Sequence, residues 1–239
     1  MTRIVLVHGS VVNGRATWAA QRPLADRFDL VVLDRPGFPP NPPVERVDFE
    51  VDAALVADLL RPGDHLVGHS YGGVIALLAA ARRPEHVRSL TVIEPPATRV
   101  AAGDPDVDVF AARGAELYAG SASTDPEELL RLFLAAVGSR FDPPTPLTPQ
   151  LEQGARALLV ERGPWEAEIP LPQLGATTFP KLVVSGAHHP AFDTICDVLE
   201  RELAAERAVL LGYGHVVQLH PEFNALLAGF VERAEALRR

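Results

Sequence analysis

Ser70 stands in Val67-Gly68-His69-Ser70-Tyr71-Gly72-Gly73, with glycine two positions to either side. The strand-like His65-Leu66-Val67 leads in, and an unbroken small-residue run from Val74 to Ala81 leads out. A serine that attacks a carbonyl must be held clear of its own backbone, and a sharp strand-to-helix turn flanked by glycines does this. Its hydroxyl is a weak nucleophile near neutral pH. It needs an imidazole to take the proton, and the imidazole needs an acceptor that fixes its tautomer. The chemistry in prospect is acyl transfer through a covalent serine intermediate.

Of eight histidines, His215 is the candidate base. It lies in Gly212-Tyr213-Gly214-His215-Val216-Val217, between the last strand-like run and the final helix-like one, where the glycines permit a tight approach. His8 reads as a residue that holds a His-Gly turn, His69 points away from the reactive side by strand alternation, and His65, His86 and His220 read as surface or capping residues. A developing oxyanion needs two preorganised N–H groups. The backbone N–H of Tyr71, at the start of the helix, supplies one, and that of Ser10, or of Val11 if the loop is offset by a residue, supplies the other.

These groups must be brought together by a regular framework. Short β-branched runs at 4–7, 30–33, 65–67, 90–93, 181–184 and 208–211 read as strands, and 16–27, 51–60, 71–83, 190–205 and 221–237 read as helices with apolar residues at i, i+3 and i+4. Apolar strands alternating with helices imply a doubly wound, mostly parallel six-stranded sheet, an α/β fold. Reactive groups in such a sheet collect beyond the carboxyl ends of the strands, and His8, Gly9, Ser10, Asp34, Ser70, Glu94, Ser185 and Gly186 all fall there. Between 95 and 179 the alternation gives way to helix signals separated by proline-rich breaks such as Asp142-Pro143-Pro144-Thr145-Pro146. This segment is expected to form a helical cap on a core made of 1–94 and 180–239. Thr124-Asp125-Pro126-Glu127 reads as one helix start, with Leu129, Leu130, Phe133 and Leu134 behind it, and Thr148-Pro149 reads as another. Phe110, Tyr118 and Trp165 from the cap, together with Val11, His188 and His189, are candidate pocket residues.

With 239 residues, 47% of them hydrophobic, the chain can bury one sizeable core. A net charge of −9 leaves no basic stripe for nucleic acid or an anionic membrane. The single cysteine, Cys196, excludes an intrachain disulfide and reads as a small apolar residue on a helix. No apolar run approaches bilayer length and no signal-peptide order opens the chain, so a cytoplasmic protein without membrane or nucleic-acid partners is expected. His188, His189 and Asp193 lack the helical spacing of a metal site, so neither metal nor cofactor is expected.

The His-Gly loop, Asp34-Arg35-Pro36-Gly37-Phe38, the serine elbow, the cap and the late Gly-His together resemble the α/β-hydrolase superfamily over nearly the whole chain. The resemblance implies that the chain begins at the family's third strand, as in the plant methylesterase and hydroxynitrile-lyase branch. It also locates the acid. The family's usual aspartate follows the glycine that ends its seventh strand, but here that place reads Ser185-Gly186-Ala187-His188-His189-Pro190. Two carboxylates remain. Glu94, in Val92-Ile93-Glu94-Pro95-Pro96, matches the strand end where haloalkane dehalogenases carry their acid, and Asp193 is the alternative from within the following helix. The function implied is hydrolysis of an ester, lactone or thioester of a small-molecule acyl substrate, with small acyl groups favoured. The same framework also serves a lyase, a perhydrolase or a biosynthetic cyclase, or a protein that only binds. The absence of any lysine from 95 to 179 argues against the hydroxynitrile-lyase reaction.

Overall fold

The computed structural model describes residues 1–120 and 125–237. Six parallel strands, β1 (Arg3–Val7), β2 (Asp29–Val32), β3 (Asp64–His69), β4 (Val87–Ile93), β5 (Lys181–Ser185) and β6 (Glu206–Val209), form one sheet in the order β2-β1-β3-β4-β5-β6. Alternation along the strands splits the core in two. Val5, Val7, Leu66, Val92 and Val183 face α2 (Phe49–Leu59), α3 (Tyr71–Arg82) and α8 (Pro190–Leu203). Ile4, Leu6, Val67, Ile93, Leu182 and Val184 face Trp18, Leu24, Phe28 and α9 (Phe223–Ala236). Both faces are covered, so the four inner strands need apolar residues on both sides. Helix α3 is buried from Tyr71 to Ala81, and its small residues let it lie close on the sheet.

The edge strands depart from the sequence expectation. β6 starts two residues earlier than the apolar run suggests, because an edge strand is less covered by its neighbours and both its end residues, Glu206 and Val209, are exposed. The helix expected at 16–27 divides into a short α1 (Gly14–Thr17), capped by Asn13, and a 3-10 stretch over Ala19–Asp26. Pro23, inside that stretch, cannot donate a helical N–H.

Between β4 and β5 the chain forms α4 (Pro105–Gly120), α5 (Pro126–Ala136), α6 (Pro149–Val160) and the short α7 (Leu171–Gly175). Helix α4 had no distinct sequence signal. Asp125 caps α5 by accepting from the N–H groups of Glu127 and Glu128, and Thr148 caps α6 with Pro149 in its first turn. Thr124, read as part of the first of these starts, lies outside the described residues. Leu129 and Leu130 of α5 pack with Leu151, Ala155 and Leu158 of α6 in a third cluster, which Val11 from the loop after β1 joins. Among the described residues, no helix is long and apolar enough to cross a membrane.

Candidate active site

The strand order reverses between β1 and β3, and a doubly wound sheet opens a crevice at the carboxyl ends of such a pair. The loop after β1 carries Ser10 and the turn after β3 carries Ser70. Ser70 sits at φ 54°, ψ −127°, outside the regions that side-chain-bearing residues favour. The turn is possible because the chains around it touch. A Cβ on Gly68 would lie 2.2 Å from the Gly72 carbonyl oxygen, and one on Gly72 would lie 2.4 Å from that of Val7. The Ser70 N–H donates to the Ile93 carbonyl at 2.8 Å, which ties the turn to the end of β4.

There Glu94, fully buried, adopts φ 44° and projects its carboxylate toward the loop after β6. His215 Nε2 lies 2.8 Å from Ser70 Oγ, and His215 Nδ1 lies 2.8 Å from Glu94 Oε2. A carboxylate accepts only, so Nδ1 carries the proton and Nε2 is free to take one from the serine. Both the His215 ring and its backbone are held in place. Phe192 stacks on it with centroids 4.6 Å apart, and His69 Nε2 donates to the His215 carbonyl at 2.8 Å. Strand alternation predicts that His69 leaves the elbow away from the reactive side, but the His215 loop closes over that face, so the His69 ring lies 5.0 Å from that of His215 and lines the same cavity as Ser70. Burial and the neighbouring His215 push the His69 imidazole down to about 3, so it stays neutral.

Glu94 Oε1 accepts the Gly186 N–H at 2.7 Å and lies 3.2 Å from His188 Nδ1, within ion-pair distance but off the hydrogen-bond angle. Burial alone would raise its carboxyl, yet the His188 and His215 contacts hold it down at about 2. His188 therefore stands where the commoner aspartate would and shares the carboxylate with His215. Asp193, the alternative acid, turns elsewhere: Ser185 Oγ donates to it at 2.9 Å and Arg207 lies 3.9 Å away. The grouping of His188 and His189 with Asp193 is likewise not formed, since His189 Nδ1 caps α8 by accepting from the Ala191 N–H at 3.2 Å. Among the described residues, Glu94, His188 and His215 bring ligand atoms within 4.8 Å of one another. This is one carboxylate between two imidazoles, and a cation there would have to displace the proton that His215 donates.

The loop after β1 is fixed from two directions. His8 holds it through its ring, with Nδ1 2.8 Å from the Gly9 carbonyl and Nε2 accepting the Arg35 N–H at 3.0 Å. Arg35, buried, donates from Nη1 to the Gly9 carbonyl at 2.8 Å and from Nε to Asp52 at 2.7 Å. From α6 comes Glu161, which sequence reasoning missed. Its Oε1 accepts from Ser10 Oγ at 2.7 Å and from the Tyr118 hydroxyl at 2.8 Å, and its Oε2 lies 3.8 Å from Arg35 Nη2. Burial raises the Glu161 carboxyl, and Arg35 opposes the rise. A readable signal existed: Glu161 follows Leu158 by three and Gly154 by seven, which puts a carboxylate on the buried stripe of α6. Val11 has φ 74°, and its carbonyl is so close to Gly154 that a Cβ there would meet it at 1.7 Å.

The remaining pocket candidates divide. Val11 lines a cavity of about 540 Å³ beside Ser70 and His215, and Phe110, Tyr118 and Trp165 line a second of about 40 Å³ beside Ser70 and Tyr71. His188 and His189 line neither; His188 is spent between Glu94 and the Val137 carbonyl, 3.1 Å from its Nε2. His65, read as a surface residue, is fully buried against Ser89.

The profile of the alpha/beta hydrolase family matches residues 4–225. The chain belongs to that family. This hydrolase-family chain is 32% identical over 180 residues to the pimeloyl-[acyl-carrier protein] methyl ester esterase of Aeromonas hydrophila, an alignment that covers 72% of this chain but 64% of the relative. Alignments to three further esterases of that name span 35–36% of their lengths. It is also 26% identical to lipase LipV of Mycobacterium tuberculosis, over 90% of this chain and 87% of LipV. A carboxylesterase structure from Nitrososphaera gargenis superposes with a TM-score of 0.70 over 98% of this chain and 91% of that one, at 17% identity, a likeness of fold.

Proposed function

We propose that this family member is a serine hydrolase that cleaves an ester, lactone or thioester of a small-molecule acyl substrate, with no cofactor in the scheme. The observation that carries the reading is the unbroken chain from Ser70 Oγ through the His215 imidazole to Glu94 Oε2, with both hydrogen bonds, at Nε2 and at Nδ1, 2.8 Å long. His215 takes the Ser70 proton as Oγ bonds to the carbonyl carbon. The resulting oxyanion faces the N–H of Tyr71, an orphan donor at the start of α3, and that of Ser10 or Val11. The imidazolium then protonates the leaving oxygen or sulfur, the bond to it breaks, and the acyl group remains on Ser70. Water, deprotonated by the same imidazole, attacks the acyl-enzyme and releases the acid. Residues 95–179 act as the cap that closes the site.

The test uses p-nitrophenyl acetate and a fluorophosphonate probe. Ser70→Ala is expected to lower kcat by about 10⁵-fold or more while leaving the melting curve in place, and to abolish labelling. A protein that folds but is neither labelled nor active in the wild-type form would be a binding protein, and the proposal would fall.

A further inference from the structure

We infer that the site divides its ester unequally, with an acyl arm of about two or three carbons in the small cavity and a large apolar alcohol in the open one. The inference rests on the hydrolase reading above and adds which arm of the ester goes where. Ser10, Ser70, Phe133 and Val137 line both cavities, so the two meet at the nucleophile. One holds about 540 Å³ and the other about 40 Å³.

The chemistry decides which arm enters which cavity. Once the carbonyl carbon is bonded to Ser70 Oγ and its oxygen faces the amide N–H groups, two substituents remain to be placed. The leaving oxygen must receive its proton from His215 Nε2, so the alcohol lies on the side of that ring. His215 and His69 line the large cavity and not the small one. The acyl chain is left the small cavity, on the Tyr71 side.

That cavity holds less than a tenth of the large one's room, and roughly three times the 10–15 Å³ that a cavity needs to take one water. It fits the methyl of an acetyl group or the ethyl of a propionyl group. Its walls are also poorly placed to yield. The Trp165 ring lies where a Cβ on Gly114 would come within 2.8 Å of it and one on Gly163 within 2.1 Å, and the Tyr118 ring meets it edge-on at 5.0 Å. Phe110 is wedged against His189 and Phe192, each with centroids 5.1 Å away. Forcing extra methylenes into such packing moves side chains off their rotamers. The large cavity differs at its rim, where Phe141 is 47% and Leu219 41% exposed. A bulky apolar alcohol would cover both and remove that surface from water.

Two ester series test the partition on the whole chain: p-nitrophenyl esters from acetyl to octanoyl, and acetates of alcohols from methyl to decyl and naphthyl. For the wild type, kcat/KM is expected to fall by at least about 10-fold between propionyl and hexanoyl, and to rise with the size of the alcohol. Leu117→Ala, which removes part of the small cavity's wall, is expected to raise the hexanoyl-to-acetyl ratio of kcat/KM by about 10-fold. If kcat/KM instead climbs steadily from acetyl to octanoyl while Ser70→Ala is inactive, the partition is overturned and the hydrolase reading stands. If no ester is turned over and the fluorophosphonate leaves Ser70 unlabelled, both fall.

Discussion

The turn around Ser70 and the helices between β4 and β5 reach the same few ångströms by different means. At the turn, backbone meets backbone: Gly68 against Gly72, Gly72 against Val7 and Gly9 against the His69 carbonyl leave no room for a side chain, and residue identity follows from local geometry. The helices contribute side chains from distant positions: Glu161, at the end of α6, meets Ser10 from 151 residues away, and Tyr118 of α4 meets Glu161. Geometry of the first kind writes a motif into the sequence; geometry of the second kind leaves only a polar residue on an apolar stripe. In the proposed reaction the first sets whether chemistry occurs, and the second sets how well the loop that would bind the oxyanion is held and what fits beside it.

The sharpest way to break this contrast is at Glu94, which belongs to the sheet. Glu94→Gln keeps the shape but removes the charge that orients His215, and kcat is expected to fall by about 10³- to 10⁴-fold. Asp193→Asn, at the carboxylate bound to Ser185, is expected to change kcat by less than about 3-fold. Steady-state kinetics on one ester decides it; comparable losses in the two variants would show that the acid has been misassigned. The charge should also appear in stability. The Glu94 carboxyl lies below its ordinary value, so its contribution is present above about 4.5 and is lost as pH falls through about 2. A shift of that size corresponds to about 3 kcal/mol, and urea melts of wild type and Glu94→Gln should converge toward pH 2.

How much of this could be read beforehand follows the same division. The four inner strands, α3, Ser70, His215 and the strand-end position of Glu94 were all legible, because burial on both faces and a glycine-bound turn leave few residue choices. The edge strand β6 was misplaced because half of it faces water. His188 was read as a pocket residue, since nothing in Gly186-Ala187-His188 says that Glu94 will arrive from the neighbouring strand with an oxygen to spare. Glu161 next to Arg162 looks like a solvated pair at the end of a helix. Only closure of α6 over the loop after β1 buries the glutamate, and Arg162 leaves it for Asp48 and Glu166.

A smaller effect is expected at Glu161, the contribution of the helices. Glu161→Leu leaves the hydroxyls of Ser10 and Tyr118 without this acceptor and weakens the pairing of buried Arg35. Stability should drop by about 3 kcal/mol and kcat by about 10- to 100-fold, with KM changed much less, because a displaced oxyanion donor acts in the transition state. Glu161→Gln retains an acceptor oxygen and should recover most of kcat while remaining less stable, since it cannot pair with Arg35. Equal loss of kcat in both variants would show that the charge, and not the grip on Ser10, matters.

The smallest effect lies where the two regions touch, at His188. Its Nε2 faces the Val137 carbonyl at the end of α5, and its Nδ1 faces Glu94 Oε1 at the end of β4. A neutral imidazole has one N–H for two acceptors, so the arrangement favours the imidazolium. Burial works against that charge, but Glu94, the Val137 carbonyl and Asp193 outweigh it and raise the His188 value, with His189 and His215 the other titratable groups nearby. A group whose value rises on folding stabilises fully below its unfolded value of about 6.5 and loses that contribution as pH climbs through the higher folded one. His188→Gln should therefore cost about 1.5 kcal/mol at pH 5.5, the size of a charge-assisted hydrogen bond, and progressively less by pH 8.5. Urea melts at three pH values read this directly. A deficit that grows with pH would mean that His188 is buried neutral and that the helices are tied to the acid by packing alone.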